Sequence, residues 1–439
     1  MKKIIDIKAR EILDSRGNPT IECDMYLEDK SFGRASVPSG ASTGIHEALE
    51  LRDNDNKRYG GKGVKNAITN ILEIVYPRII NKNFDTINDF DKFLLSLDKT
   101  INKSYLGANA TLALSLSFAK ALAHHHGEEL FTFLSVDKDY LLPVPMMNII
   151  NGGSHADNNV DIQEFMIAPL GAPSFGEWIR YGCEIFHSLK SKLKTKGFNT
   201  NVGDEGGFAP NINSSEEVIE LIIDSVNSTG LKMEKDVMIS LDVASTEFYN
   251  NSSYHLKGEN KILSSDQMIE YLKNLSSTYP IYSIEDGMSE DDWEGWSLLT
   301  EALTHKLQLV GDDVFVTNPD IFEKGINEKI ANAILIKFNQ IGSITETLDT
   351  ISMAKANNYN YIISHRSGET EDVTIADLAV GTASGQIKTG SLSRSDRTAK
   401  YNQLLRIEEE IGASYFNKDN VFGRWLKWKF IMQSAWYYS

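Results

Sequence analysis

A chain of 439 residues exceeds the range over which one hydrophobic core usually grows, so two domains are expected, one of them a large barrel. Apolar residues make up 41% and aromatic residues 10%, enough for packed cores and against disorder. A formal charge of -17, from 61 acids against 44 bases, excludes broad nucleic-acid or anionic-membrane binding, and the two cysteines, Cys23 and Cys183, form no disulfide framework and no thiolate zinc site. An anionic substrate would need local help, and an acid-rich chain finds it most readily in a hard divalent cation. The first residues are already charged by position 8 and no window has the apolar length of a membrane span, so a cytoplasmic, reducing location is expected.

In chain order, residues 1–140 read as an α+β unit. Short alternating runs at 3–12, 20–27 and 31–37 predict strands. The small-residue loop 39–44 (Ser-Gly-Ala-Ser-Thr-Gly) fits a mobile lid or a plain linker. A helix is predicted over 108–126, with Leu112, Leu116 and Ala119 on one face and Gly127 as its stop. Its last three residues, His124 to His126, diverge around the helix and cannot all face one ligand. The prolines in 142–147 then enforce an extended path into a second unit spanning 141–420.

In that unit short apolar runs each stop at one polar residue. The stops are Asp242, Glu285, Asp312, Lys337, His365 and Lys388, and the intervals suit one strand plus one helix per step. In (β/α)8 barrels functional side chains sit where each strand ends. Any single one of these residues fits a charged strand terminator in a solvated loop, but six in succession form a constellation.

Three carboxylates at neighbouring strand ends, Asp242, Glu285 and Asp312, supply the oxygen shell that magnesium takes. Two lysines in the same mouth divide into an anion binder and a base, the base with a pKa lowered by the other cations. Glu164, in a strand-like stretch with Gln163, and Glu205, among glycines, are further candidates, as is His155 after Gly152 and Gly153; ordinary turns explain these loops equally well. His365, Arg366 and Ser367 form a phosphate-suited trio, unless Arg366 bridges to Glu369 or Glu371.

These stretches together resemble the enolase family, of the bacterial kind, from Arg10 to Glu409. The most specific are 39–44, 146–165, 202–210, 283–286, 335–342, 364–372 and 387–397. The resemblance implies an α/β fold: a modified (β/α)8 barrel, ββαα and then βα units, under an N-terminal α+β capping domain that carries the lid. It implies a hydro-lyase of glycolysis and gluconeogenesis that reversibly dehydrates 2-phosphoglycerate to phosphoenolpyruvate through an enediolate. A lysine or histidine base with magnesium is the general pattern of that superfamily. By motif, Lys337 would be the base at carbon 2, and Glu205, with Glu164 beside it, the acid at the carbon 3 hydroxyl. Asp242, Glu285 and Asp312 would hold the first of two Mg2+ ions, and Ser42 the second together with substrate. His155, Gln163, His365, Arg366, Ser367 and Lys388 would complete the substrate site. A homodimer or larger homo-oligomer, and an additional cell-surface or secreted pool, are implied likewise. A different acid-sugar dehydratase of the same superfamily fits less well, because lid and phosphate motif match together.

Residues 421–439 depart from the family pattern. Trp425, Trp428 and Met432 would share one helix face, with Lys427 and Lys429 opposite. Packing on the barrel is one reading, and contact with a membrane surface or another protein is the sharper one.

Overall fold

The computed structural model describes residues 2–40, 44–136 and 138–412. Ser42 and the aromatic segment 421–439 lie outside the described residues.

The first three predicted strands form an antiparallel meander: β1 (Ile4–Leu13), β2 (Pro19–Leu27) and β3 (Phe32–Ser36). The predicted helix is Ala108–His126, ended by Gly127 in the left-handed region at φ 67°. It is not one-sided as its sequence pattern implied. Residues Ala108 to Ala119 and Ala121 to Ala123 are all buried, because the sheet covers one side and the rest of the chain the other. Its seat on β3 depends on Gly33, where a Cβ would lie 2.0 Å from the Ser117 carbonyl oxygen.

The prolines at 143 and 145 do give an extended path, but the path is itself the first barrel strand, β4 (Val144–Asn151), with Pro145 opposite Ile387. β5 (Glu164–Ala168) runs antiparallel to β4, and β6 (Met238–Asp242) antiparallel to β5. Two helices, Phe175–Thr195 and Ser215–Ser228, separate β5 from β6, which gives the expected ββαα opening. Three short strands, β7 (Tyr249–Asn250), β8 (Ser253–Leu256) and β9 (Lys261–Leu263), form a small side sheet. β10 (Ile281–Glu285), β11 (Gln308–Gly311), β12 (Ala333–Ile336), β13 (Asn360–Ser364) and β14 (Gln386–Lys388) then continue in parallel and close on β4, making an eight-stranded barrel.

Helices Ser265–Thr278, Trp293–Leu303 and Ile344–Ala356 begin at Ser264, Asp292 and Ser343, whose side chains accept a backbone N–H of the first turn. The barrel interior is layered. Gln308 and Gln386, the first residues of β11 and β14, exchange amide hydrogen bonds of 3.0 and 2.8 Å at the amino ends of the strands. A small apolar layer that includes Met146, Met166, Val310, Leu335 and Ile362 lies within the barrel, separate from the main core. The predicted charged stops gather at the opposite end.

Candidate active site

Each of the six predicted stops is the last residue of a barrel strand or the one after it. Glu164 reaches the same end by a different route. It is the first residue of β5, and because β5 is antiparallel its start lies beside Asp242 at the end of β6. A small cavity opens there, lined among others by His155, Gln163, Glu164, Glu205, Asp242, Asp312, Lys337, His365, Arg366, Ser367 and Lys388. Every candidate from the sequence except Glu285, which touches Lys388, and Ser42, outside the described residues, is thus in the lining.

Lys388 Nζ is 2.8 Å from Asp242 Oδ2, 2.8 Å from Glu285 Oε1 and 3.0 Å from Glu164 Oε1. Burial opposes its charge, but Asp242, Glu164 and Glu285 overcome this and hold its pKa well above the ordinary lysine value. The Lys337 ammonium donates to Asp312, whose other oxygen accepts from Gln340 Nε2 at 3.0 Å. Burial presses the Lys337 pKa down, and the cations Arg366 and Lys388 add to this, yet contact with Asp312 wins and the net direction is up.

Glu164 and Glu205 are pushed apart. Burial and the neighbouring charge of Glu205 raise Glu164 well above the carboxylate range. Glu205 pays the same burial cost but faces His155, His365 and Arg397, and is held well below that range. One carboxyl therefore keeps a proton while the other stays ionised, with His155 Nδ1 between them at 3.7 and 3.6 Å. Burial lowers His155, and drives His365 down to about 3, so both imidazoles are neutral near pH 7. Ser367 Oγ lies 3.2 Å from His155 Nε2, and Gln163 Nε2 donates to Asp242 Oδ2 at 3.1 Å.

Arg366 does not bridge to Glu369 or Glu371 through its guanidinium as the local sequence allowed; it pairs with Glu47, Nη1 to Oε2 at 2.9 Å and Nη2 to Oε1 at 3.0 Å. Glu47 comes from the N-terminal unit, just beyond the lid loop, and gave no signal in the sequence. At the other end of that loop, Ser39 and Gly368 exchange backbone hydrogen bonds of 2.7 and 2.9 Å. A Cβ at Gly368 would meet Ser39 Oγ at 2.4 Å and Arg16 Nη2 at 2.6 Å, side-chain ends that would have to shift.

The sequence also missed Asp286, Asp313, Asn148 and Arg397. Asp286 and Asp313 directly follow two predicted ligands, which was the available signal. Asp286 accepts the backbone N–H groups of Asp312 and Asp313 at 2.9 Å each, fixing the β11 end. Asn148 Nδ2 donates to Glu205 Oε2 at 3.1 Å.

The donor chemistry fits a hard cation. Among the described residues Glu285 Oε2 and Glu164 Oε2 are buried without a hydrogen-bond partner, and carboxylates outnumber cations around the cavity. Two sets of donor atoms lie within 4.8 Å of one another: His155, Glu164 and Glu205, and Asp286, Asp312 and Asp313. The predicted trio Asp242, Glu285 and Asp312 is not one of these sets, since the two lysine ammoniums hold its oxygens.

Fold and site together define a barrel enzyme whose chemistry falls to buried acids and lysines at the strand ends. The enolase N-terminal domain model matches residues 4–134, and the enolase C-terminal TIM barrel domain model matches residues 139–423. The chain belongs to the enolase family and is a lyase of that superfamily, whose members use a divalent metal. The match stops short of residues 424–439. Among the described residues no helix is long and apolar enough to cross a membrane.

Proposed function

We propose that the protein reversibly dehydrates 2-phosphoglycerate to phosphoenolpyruvate, with Lys337 as base and Asp242, Glu285 and Asp312 as magnesium ligands. The observation that carries this reading is the placement of Lys337 and Lys388 in one cavity with the Glu164–Glu205 pair and the strand-end carboxylates. A proton next to a carboxylate is very weakly acidic, because its loss gives a dianionic enediolate. Magnesium, when bound, supplies the positive charge that stabilises that dianion.

The remaining work belongs to this chain's residues. While Asp312 contacts Lys337, the amine keeps its proton. Once Asp312 is committed to a cation, that hold is withdrawn, and burial together with Arg366 and Lys388 favours the neutral amine that abstracts the carbon 2 proton. The proton of the Glu164–Glu205 pair rests on Glu164, and Glu205, held by Asn148, becomes the donor to the departing carbon 3 hydroxyl once that proton has passed to it. Lys388 is positioned for the substrate carboxylate, and Arg366 and Ser367, with His155, Gln163 and His365, for the rest of the anion. Ser42 would join substrate phosphate and a second magnesium ion from the lid. A homodimer or larger ring in the cytoplasm belongs to the same proposal, and a monomer mass by light scattering would remove the oligomer from it.

The test follows formation of the conjugated product by ultraviolet absorbance. Wild-type protein is expected to turn over 2-phosphoglycerate with Mg2+, to stop with EDTA and to recover on adding Mg2+ back. Lys337→Ala is expected to lower kcat by about 10²- to 10⁴-fold with an unchanged far-ultraviolet circular dichroism spectrum. No turnover by folded, metal-loaded wild-type protein would sink the proposal.

A further inference from the structure

Behind the substrate-facing residues lies a fully buried arginine, Arg397, in the helix Ser395–Ile411. A guanidinium has five N–H donors and accepts nothing. Here Nη1 reaches His365 Nδ1 at 2.5 Å and the Arg366 carbonyl at 2.6 Å. Nη2 reaches the Ser367 carbonyl at 2.6 Å and the Asp204 carbonyl at 3.3 Å. Nε pairs with Asp396 Oδ2 at 2.9 Å by charge, without a hydrogen bond from its N–H among the described residues. Four of the five donors thus point at named acceptors, and one of these is an imidazole nitrogen.

The donor count decides the state of that imidazole. Since Arg397 can only donate, His365 Nδ1 must offer its lone pair, and the single proton of the neutral ring sits on Nε2. That nitrogen is buried without a hydrogen-bond partner among the described residues and lies 3.4 Å from Glu205 Oε1. The same arginine ties the carbonyls of Arg366 and Ser367 to that of Asp204, the residue before Glu205. Space for it is kept by Gly390, at φ 78°, where a Cβ would meet Arg397 Cδ at 2.8 Å and His365 Cε1 at 3.0 Å.

We infer that Arg397 is a positioning residue that locks His365 as the Nε2–H tautomer, aiming a proton at Glu205 and the leaving hydroxyl, and that joins the Glu205 loop to the His-Arg-Ser loop. The kinetic consequence rests on the proposed dehydration; the tautomer does not.

The experiment uses ring-15N histidine in the full chain at neutral pH, with the His365 signal among the nine histidines assigned by its loss in His365→Asn. Wild type is expected to show a protonated Nε2 and a bare Nδ1. Arg397→Met is expected to give mixed tautomers or Nδ1–H, with kcat lowered about 10- to 100-fold, KM changed far less, and part of kcat restored by added guanidinium ion. Arg397→Lys, whose ammonium can only donate, is expected to retain the wild-type tautomer. A wild-type His365 protonated on Nδ1 overturns the inference whether or not Arg397→Met folds. So does a folded Arg397→Met with the tautomer and kcat unchanged. Absence of turnover in wild type would instead strike the proposed reaction, since the wild-type spectrum is read without substrate.

Discussion

Replacing Lys388 with methionine keeps the length of the side chain and deletes one charge that contacts three buried carboxylates, Asp242, Glu285 and Glu164, at 2.8, 2.8 and 3.0 Å. Its side chain is only 3% exposed, so water cannot take over. Breaking a buried ion pair by removing one partner typically costs about 3–5 kcal/mol. For a domain of this size that corresponds to a loss of roughly 6–10 °C in Tm. The loss should depend on pH in a definite direction. Without the ammonium all three carboxyls are raised in the folded state, so folded protein binds more protons than unfolded protein and stability falls as pH rises. Thermal melts in EDTA at pH 5.5 and pH 8 provide the assay. The deficit relative to wild type should be larger at pH 8, and adding Mg2+ should narrow it by supplying positive charge. A deficit that is equal at both pH values, or below about 1 kcal/mol, would refute the assignment of Lys388 as counter-charge to the acid cluster.

Asp91 gives a second pH test. It is buried, it accepts the Thr345 N–H at 2.9 Å, and burial raises it to about 6. Its folded pKa thus lies above the unfolded value of about 3.9, so it costs stability as pH rises from about 4 to 6. Asp91→Asn keeps the acceptor and removes the titration; in urea unfolding its advantage over wild type should grow by roughly 2–3 kcal/mol between pH 4 and pH 6.5, and a constant difference would show that Asp91 is not the group responsible. Gly258→Ala tests the support of the loop ahead of Gln163 and Glu164. Asp161 accepts the N–H groups of Gly258 and Glu259 at 2.9 and 3.1 Å, and a Cβ at Gly258 would lie 1.8 Å from the Asn159 carbonyl oxygen. The loop must move, and kcat/KM is expected to fall about 10- to 100-fold with the secondary structure intact; unchanged kinetics would mean that the side sheet does not position this loop.

Much of the barrel was legible because the information is local. An apolar run that stops at Asp242, Glu285, Asp312, Lys337, His365 or Lys388 carries its strand and its functional end in the same few residues, and the helix 108–126 carries its own glycine stop. What remained hidden depends on residues far apart in the chain. Glu47 and Arg366 meet only because the N-terminal unit folds over the barrel mouth. The helix 108–126 is buried on nearly all sides because of what covers it, which its own periodicity does not encode.

By itself the sequence determined the repeating strands, the charged residue at each strand end, and hence the set of groups available for chemistry, since short-range patterning decides which face of a strand is apolar and where it stops. Only the tertiary structure decided how those groups are paired: the antiparallel β5 that brings Glu164 to Asp242, the acids that keep Lys388 charged, and the arginine that dictates the proton of His365. Electrostatics and hydrogen bonding act through space over a few ångströms, and barrel closure, not sequence spacing, sets those distances.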